Sequence, residues 1–143
     1  FMEESFHVNW PAVVVAALVP MLVGMVWYHP KVLGGVWMKA NGLTEEDLRK
    51  GNMPLIYGGA LVLAFMLALF LMTNVTGFGQ EDPKFHTFQH GLGHGLMLTL
   101  LFVLPLFGTN ALFEKRSWSW LLVNVGYWWV TLSIALGILS AWR

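Results

Sequence analysis

The sequence contains no cysteine and few charged residues, and both absences limit what the chain can be. None of its 143 residues is Cys, which excludes disulfides, thiol redox chemistry, thiolate metal sites and iron–sulfur clusters. Charged residues make up 11% of the chain, against about 25% in an ordinary soluble domain. The formal net charge is zero. Because a balanced charge gives no attraction to nucleic acid, no partner of that class is expected.

Charged side chains are missing altogether from four long apolar stretches, and these stretches are the most informative feature of the sequence. Hydrophobic residues reach 57% of the chain, and a helix that spans a bilayer needs about 20 mostly apolar residues. We therefore predict an all-α integral membrane protein, a single four-helix bundle over residues 1–143 in contact with the lipid bilayer. The predicted spans are residues 8–28, 54–73, 85–113 and 118–142.

The ends and interruptions of the predicted spans follow from a few residues. The first stretch is interpreted as a retained span, because the charged residues before it, Glu3 and Glu4, are acidic where a signal peptide has a basic region. Pro20 and Pro105 lie inside spans one and three, and each is expected to kink its helix. Asp82 and Pro83 have the order of an N-cap and a first helical residue, so span three is expected to begin there.

The connection between spans one and two, residues 29–53, is the most polar segment and is expected to contain short helices. Thr44 and Asp47 have the spacing of a capping box. Acidic residues fill the turn that follows and basic residues come after them, which suits the dipole of a helix. This pattern predicts a short surface helix, and residues 31–40 are expected to form a second helix in the membrane interface.

The distribution of basic residues predicts the orientation of the chain in the membrane. Connections 29–53 and 114–118 together carry six Lys and Arg residues, and the opposite side carries only Lys84 and Arg143. Because short cytoplasmic loops are enriched in Lys and Arg, both connections are predicted to be cytoplasmic and both termini outside.

His86, His90 and His94 recur every four residues, so on one helix they would share a face. A rise of about 1.5 Å per residue separates the outer two by about 12 Å, too far for all three to bind one ion. A metal site would therefore need an adjacent pair, with His7 as the third ligand. The alternative is that His86 and His90 lie near the headgroups and His94 bonds a neighbouring helix. We prefer this alternative, and no cofactor is assigned.

Small residues recur at intervals of four in three of the predicted spans. This spacing lets helix backbones approach closely in a membrane, and helix packing is preferred over any ligand role. The residues concerned are Gly91 and Gly95 in span three, Ser133, Gly137 and Ala141 in span four, and Ala12 and Ala16 in span one.

Asn124, Tyr127 and Trp128 form a polar and aromatic group near the middle of span four. An amide at this depth usually bonds another helix rather than lipid. The alternative is an aromatic-lined pocket for a lipid, a quinone or another flat apolar ligand. Packing is the preferred interpretation, and the three residues remain candidate ligand contacts.

Catalytic patterns are missing from the residues outside these groups. No Ser–His–Asp set, nucleotide-binding glycine loop or pair of catalytic carboxylates can be assembled. The first span also lacks the carboxylate that a small proton-coupled exporter would need. We therefore expect a protein that is not an enzyme.

Short motifs along nearly the whole chain resemble those of a known membrane-protein family. They are Val8-Asn9-Trp10, Trp27-Tyr28 with Pro30, Trp37-Met38-Lys39, Gly42-Leu43-Thr44-Glu45-Glu46-Asp47, His94-Gly95, Asn110-Ala111-Leu112-Phe113-Glu114 with Lys115-Arg116-Ser117, and Asn124 with Gly126-Tyr127-Trp128. The chain resembles the bacterial integral membrane proteins known as domain of unknown function 1761. The resemblance implies a four-helix protein of the bacterial cytoplasmic (inner) membrane and implies no activity, cofactor or ligand. His86 and His90 lie outside the family pattern.

Three hypotheses for function follow. The first is a non-enzymatic subunit or assembly partner in a membrane complex or homo-oligomer, based on the many packing residues and the missing catalytic groups. The second is a protein that binds or transports a lipid-like or aromatic small molecule inside the bundle. The third is a metal site at the outer face that uses the histidines.

Overall fold

The computed structural model describes residues 7–143 as helices joined by short connections. Four helical segments are long and apolar enough to cross a membrane, namely α1, α4, the continuous run from α5 to α6, and α7. The predicted class, an all-α membrane bundle, is confirmed. The helices are α1 (Trp10–Trp27), α2 (Gly35–Asn41), α3 (Glu45–Arg49), α4 (Met53–Thr76), α5 (Phe88–Leu98), α6 (Leu104–Glu114) and α7 (Trp118–Ala141).

Side-chain caps set the first residue of the spans. The Asn9 carboxamide oxygen accepts a hydrogen bond from the Ala12 N–H at 3.1 Å, so α1 begins at Trp10, two residues after the predicted start at 8. Asn52 caps α4 in the same way through the Leu55 N–H at 3.2 Å. Ser117 caps α7 through the Trp120 N–H at 3.1 Å. Each cap satisfies a backbone donor that has no partner inside the helix.

The connection between α1 and α4 contains the short helices that the sequence predicts. Thr44 and Asp47 form the capping box of α3, with the Thr44 N–H donating to the Asp47 carboxylate at 2.9 Å and the Asp47 N–H donating to the Thr44 hydroxyl at 3.2 Å. The second predicted helix, over 31–40, is also present, as a continuous helical run in which a π-helical turn, Pro30–Gly34, leads into α2. α2 packs against α7.

The third span begins later than the sequence predicts. Asp82 and Pro83 do start a helical turn, but it is a 3-10 turn that ends at Phe85, and α5 begins only at Phe88 behind the N-cap Thr87. The Phe85 carbonyl is occupied by tertiary hydrogen bonds, from the Ser140 hydroxyl at 2.8 Å and from Arg143 at 2.9 Å. Because these bonds replace the next helical bond, the turn stops there.

Pro105 is preceded by a wide turn in the third span. Residues Thr99–Val103 form a π-helical turn between α5 and α6. Proline has no N–H to donate to the carbonyl four residues earlier, and a π turn is one way in which a helix accommodates the interruption. After this turn only Ala111 of α6 is buried, so α6 presents most of its side chains to the surroundings.

α7 is the central helix of the bundle. Half of its most apolar stretch is buried, against 28% for α1 and 17% for α4 and for the third span. α5 lies closest to it, because a Cβ added at Gly91 would overlap the Leu136 carbonyl and one added at Gly95 would lie 2.7 Å from the Ser133 Cα. Gly137 faces the Phe88 ring with equally little space.

Other small residues differ in their surroundings. Ala12 and Ala16 of α1 are buried in the core with Leu71 and Leu136, as expected for packing residues. Ala141, the last residue of α7, is exposed in the monomer, so its expected packing against another helix stays a prediction for contacts between copies.

Candidate functional site

Both ends of the described chain lie at the same face of the bundle, which we call the terminal face. The Asn9 side chain donates a hydrogen bond to the Trp142 carbonyl at 3.2 Å. The connection between α4 and α5 reaches the same face, because Arg143 donates to the Gln80 carbonyl at 2.5 Å. The start of α1, the end of α7 and the connection between α4 and α5 therefore meet at this face.

Two histidines of α5, His90 and His94, lie against each other, and each is hydrogen-bonded to an amide side chain. The His90 and His94 rings lie 4.5 Å apart between centroids, and the Phe85 ring stacks on His90 at 4.7 Å. His94 Nδ1 bonds the Asn74 carboxamide oxygen at 2.6 Å, and His90 Nε2 bonds the Gln80 carboxamide oxygen at 2.6 Å. Each imidazole therefore uses one ring nitrogen to attach α5 to the end of α4 or to the connection after it.

Arg143 attaches the C-terminal end of α7 to that connection. Its guanidinium donates to three backbone carbonyls, those of Gln80, Phe85 and Ser140, at 2.5 to 2.9 Å. Partial burial lowers the pKa of Arg143 from its ordinary value, which lies far enough above neutrality that the side chain stays charged at pH 7. The role of this charge is to hold the connection between α4 and α5 against α7.

The histidines do not form the arrangement that a metal site would need. His86 precedes α5 in an exposed position, so only His90 and His94 share the helix, and the predicted three-histidine stripe on one helix is wrong. Within residues 7–143, which include His7, no three His, Cys, Asp or Glu side chains lie close enough to hold an ion. The described residues therefore supply no third ligand to the pair.

Asn124 and Tyr127 bind other parts of the bundle instead of lining one pocket with Trp128. The Tyr28 hydroxyl donates to the Asn124 carboxamide oxygen at 2.7 Å, and the Asn124 amide donates to the Trp120 carbonyl at 2.9 Å. The Tyr127 hydroxyl donates to the Pro20 carbonyl at 2.6 Å. The polar groups of Asn124 and Tyr127 thus connect α7 to α1, in agreement with the packing interpretation.

Trp128 lines a separate, wholly apolar cavity, which we call the Trp128 cavity. It has a volume of about 390 Å³ and lies between α4, the third span and α7. Two residues of the wide turn, Phe102 and Val103, form part of its wall. The other lining residues are Leu67, Phe70, Leu71, Leu98, Leu106, Phe107 and Leu132. A cavity of this size and composition suits an apolar ligand or a lipid chain.

The fold defines this chain as a four-span, all-α membrane bundle in which partly buried polar residues tie helices to one another. The family described as a protein of unknown function (DUF1761) matches residues 11–140, and the chain belongs to that family. No curated protein and no solved structure matches the chain.

Sequence reasoning missed Asn74, Gln80 and Arg143, which complete the polar group at the terminal face. Only Arg143 carries a sequence signal, as a basic residue directly after the last span. Asn74 lies at the end of a span where amides are common caps, and Gln80 lies in a polar connection. Neither residue has a spacing that points to a histidine ten or twenty positions later.

Proposed function

We propose that this protein is a non-enzymatic subunit or assembly partner of a complex or homo-oligomer in the bacterial cytoplasmic membrane, and that α4 is its interface. The observation that carries the proposal is a pair of glycines on α4. A Cβ added at Gly58 or at Gly59 would meet nothing within 4 Å. A glycine inside a helix costs about 1 kcal/mol relative to alanine, so two neighbouring glycines need a compensating contact.

Two glycines of α5 have such a contact inside the monomer, and the two glycines of α4 have none. Gly91 and Gly95 let α5 approach the α7 backbone. In a bilayer, close packing of this kind is a main source of helix association, because lipid chains are as apolar as the helix surfaces. A partner helix against Gly58 and Gly59 would supply the same contact. The apolar side chains Leu55, Val62 and Met66 continue this outward face of α4.

The hydrogen bonds that the polar side chains form within the protein support a role other than catalysis. The side chains of Asn124, Tyr127, His90 and His94 each bond another helix, a backbone carbonyl or a connection. Groups that hold the bundle together in this way are poorly placed to move protons or attack a substrate, since movement would break the packing. We therefore propose that these four side chains have a structural role.

Cross-linking tests the interface on α4, and the lack of Cys in the chain makes the experiment simple. We expect Val62→Cys, at a position 61% exposed, to form a disulfide-linked dimer or a cross-link to a partner protein in native membranes. Leu22→Cys, 60% exposed on α1, is the matched control and should not cross-link. Adding Gly59→Leu to the Val62→Cys variant should abolish the cross-linked product. A monomer without partners after mild extraction, together with equal cross-linking at both positions, would refute the proposal.

The Trp128 cavity supports a second candidate function, the binding of a lipid-like or aromatic small molecule. We expect such a molecule to co-purify with the wild type and to be lost in Trp128→Ala, as measured by mass spectrometry of lipid extracts. Leu106→Trp is a second variant, because it fills the cavity without removing a residue from the core. Trp129→Ala is the control, since Trp129 neighbours Trp128 in sequence but does not line this cavity. A wild-type protein that purifies empty would refute the idea.

A further inference from the structure

A second apolar depression, the α6–α7 groove, lies at the end of the bundle opposite the terminal face. Its volume is about 500 Å³, and Leu104, Pro105, Gly108 and Leu121 belong to its apolar wall. Lys115, Arg116 and Trp118 lie at its end, in and just after the turn that joins the two helices. The groove therefore combines an apolar wall with a basic edge.

Gly108 leaves the α6 side of the groove without a side chain. A Cβ at Gly108 would meet nothing within 4 Å. The wide turn at Thr99–Val103 and Pro105 come just before this point in the chain. A space of this kind in the hydrocarbon region of a bilayer is filled by a lipid chain or by another helix.

The charges at the edge of the groove favour an anion. Arg116 forms a salt bridge with Glu114 at 3.5 Å and lies over the Trp120 ring at 5.4 Å. Lys115 has no carboxylate partner among residues 7–143. One unpaired positive charge therefore remains at the edge, at the side of the membrane where the basic connections lie.

The backbone at Lys115 is a further reason to assign its charge a role. Lys115 has φ 55°, and it is the one non-glycine residue with positive φ in the described part of the chain. It occupies the turn that ends α6, where the Arg116 N–H bonds the Ala111 carbonyl at 2.9 Å. Glycine is the usual residue at such a position because it adopts this conformation without strain. In this chain a lysine occupies the position despite the strain.

We propose that the α6–α7 groove binds an anionic phospholipid, with its phosphate at Lys115 and Arg116 and one acyl chain along Gly108 and Leu121. Basic pockets between spanning helices recognise anionic headgroups at the cytoplasmic side of membranes. Trp118, 76% exposed, lies at the level where tryptophan side chains meet the headgroup region. The proposal goes beyond the proposed function and does not depend on it, because it uses α6 and α7 rather than the outward face of α4.

Native mass spectrometry of the protein from vesicles of equal phosphatidylglycerol and phosphatidylcholine tests the headgroup. We expect the wild type to retain phosphatidylglycerol in preference. Lys115→Asn removes the charge while keeping a residue that tolerates positive φ, and it should lower the preference about fivefold, the effect of one basic residue near an anionic surface. Lys39→Asn removes an equivalent charge from α2 and should leave the preference unchanged.

Two glycine variants test the acyl chain. Gly108→Leu fills the groove and should release the retained phosphatidylglycerol. Gly93→Leu is the matched control, because its Cβ is equally unobstructed but lies in a groove between α5 and α7 that has no basic residue. Helical content by circular dichroism and the elution volume show that each variant is folded.

Three results would overturn the proposal. The first is equal retention of the two lipids by the wild type. The second is an unchanged preference in folded Lys115→Asn and Gly108→Leu. The third is a second protein chain, instead of a lipid, that is retained by the wild type and released by Gly108→Leu.

Discussion

Glycines of the spanning helices show how single residues decide which surfaces meet. Gly91 and Gly95 have neighbours so close that no Cβ fits, while Gly58, Gly93 and Gly108 have open space. The same residue type therefore serves a contact inside the monomer at some positions and leaves open space at others. Sequence spacing identifies the first pair as a G-x-x-x-G motif but does not say which helix it meets.

Gly91→Ala and Gly93→Ala form a matched pair for stability. The Cβ that Gly91→Ala introduces would overlap the Leu136 carbonyl, so α5 and α7 must separate. Overpacking of this kind costs about 1–3 kcal/mol. Gly93→Ala has free space and gains helix propensity of up to about 1 kcal/mol. Unfolding of the detergent-solubilised variants measures both effects, and equal stability of the two would contradict the close contact of α5 with α7.

Asp47 is a second case in which one residue has a measurable local role. Hydrogen bonds from the Thr44 backbone and then from its hydroxyl lower the pKa of the Asp47 carboxyl. The stabilisation of α3 is therefore present above the ordinary Asp pKa of about 3.9 and is lost as the pH falls through the lowered value. Thr44→Ala should raise the pKa of Asp47, as measured by a nuclear magnetic resonance titration. An unchanged pKa would show that the Thr44 hydroxyl does not donate to the Asp47 carboxylate.

At the scale of elements, the ends of helices depend on bonds from distant parts of the chain. Asp82 and Pro83 start a turn as predicted, but the Phe85 carbonyl is held by Ser140 and Arg143, more than 50 residues away. The third span consequently begins behind Thr87, and His86 is separated from the two histidines with which it was predicted to share a face. A local pattern cannot contain this information.

Arg143→Gln tests this attachment. We expect the amides of Gln80, Phe85 and His86 to exchange hydrogen faster, because the connection between α4 and α5 loses its charged donor. A hydrogen bond to a charged group contributes about 1.5–3 kcal/mol, so exchange should accelerate at least about tenfold. Arg49→Gln, in an exposed salt bridge of α3, is the control. Equal exchange in the two variants would show that Arg143 does not hold the connection.

At the scale of the whole molecule, α7 organises the bundle. At the end of α1, the Trp27 indole donates to the Val123 carbonyl of α7 at 2.9 Å and the Tyr28 hydroxyl donates to Asn124. In the other direction, the Tyr127 hydroxyl of α7 donates to the Pro20 carbonyl of α1. α5 contacts it through glycines, and the connection after α4 is held to its end by Arg143. Because helices in a bilayer gain little from hydrophobic burial, such polar bonds and close contacts determine their arrangement.

The orientation of this bundle is a prediction for the intact protein. Labelling of intact cells with a membrane-impermeant maleimide should modify Glu81→Cys and should leave Lys50→Cys unmodified until the membrane is opened. The reason is that six of the eight basic residues lie in the two connections that include Lys50 and Lys115. Lys50 and Glu81 are both exposed in the protein, so a difference in labelling would report the side of the membrane. The reverse pattern of labelling would place the termini in the cytoplasm.

The sequence by itself determined that this chain forms four apolar helices and a capped helix in the first connection. These features depend on residues close together in the chain, namely long runs without charge and the pair Thr44 and Asp47. The family motifs are also local, and they identified the family that matches residues 11–140. The approximate boundaries of the four spans could be predicted for the same reason.

Only the tertiary structure decided which polar groups are paired and which surfaces stay open. His94 meets Asn74, Asn124 meets Tyr28, and Trp128 lines a cavity that does not include Asn124. The physical reason is that these contacts depend on the rotation and spacing of whole helices. Close approach at Gly91 sets the distance between α5 and α7, and the open space at Gly58 and Gly108 becomes visible only when the helices are in place.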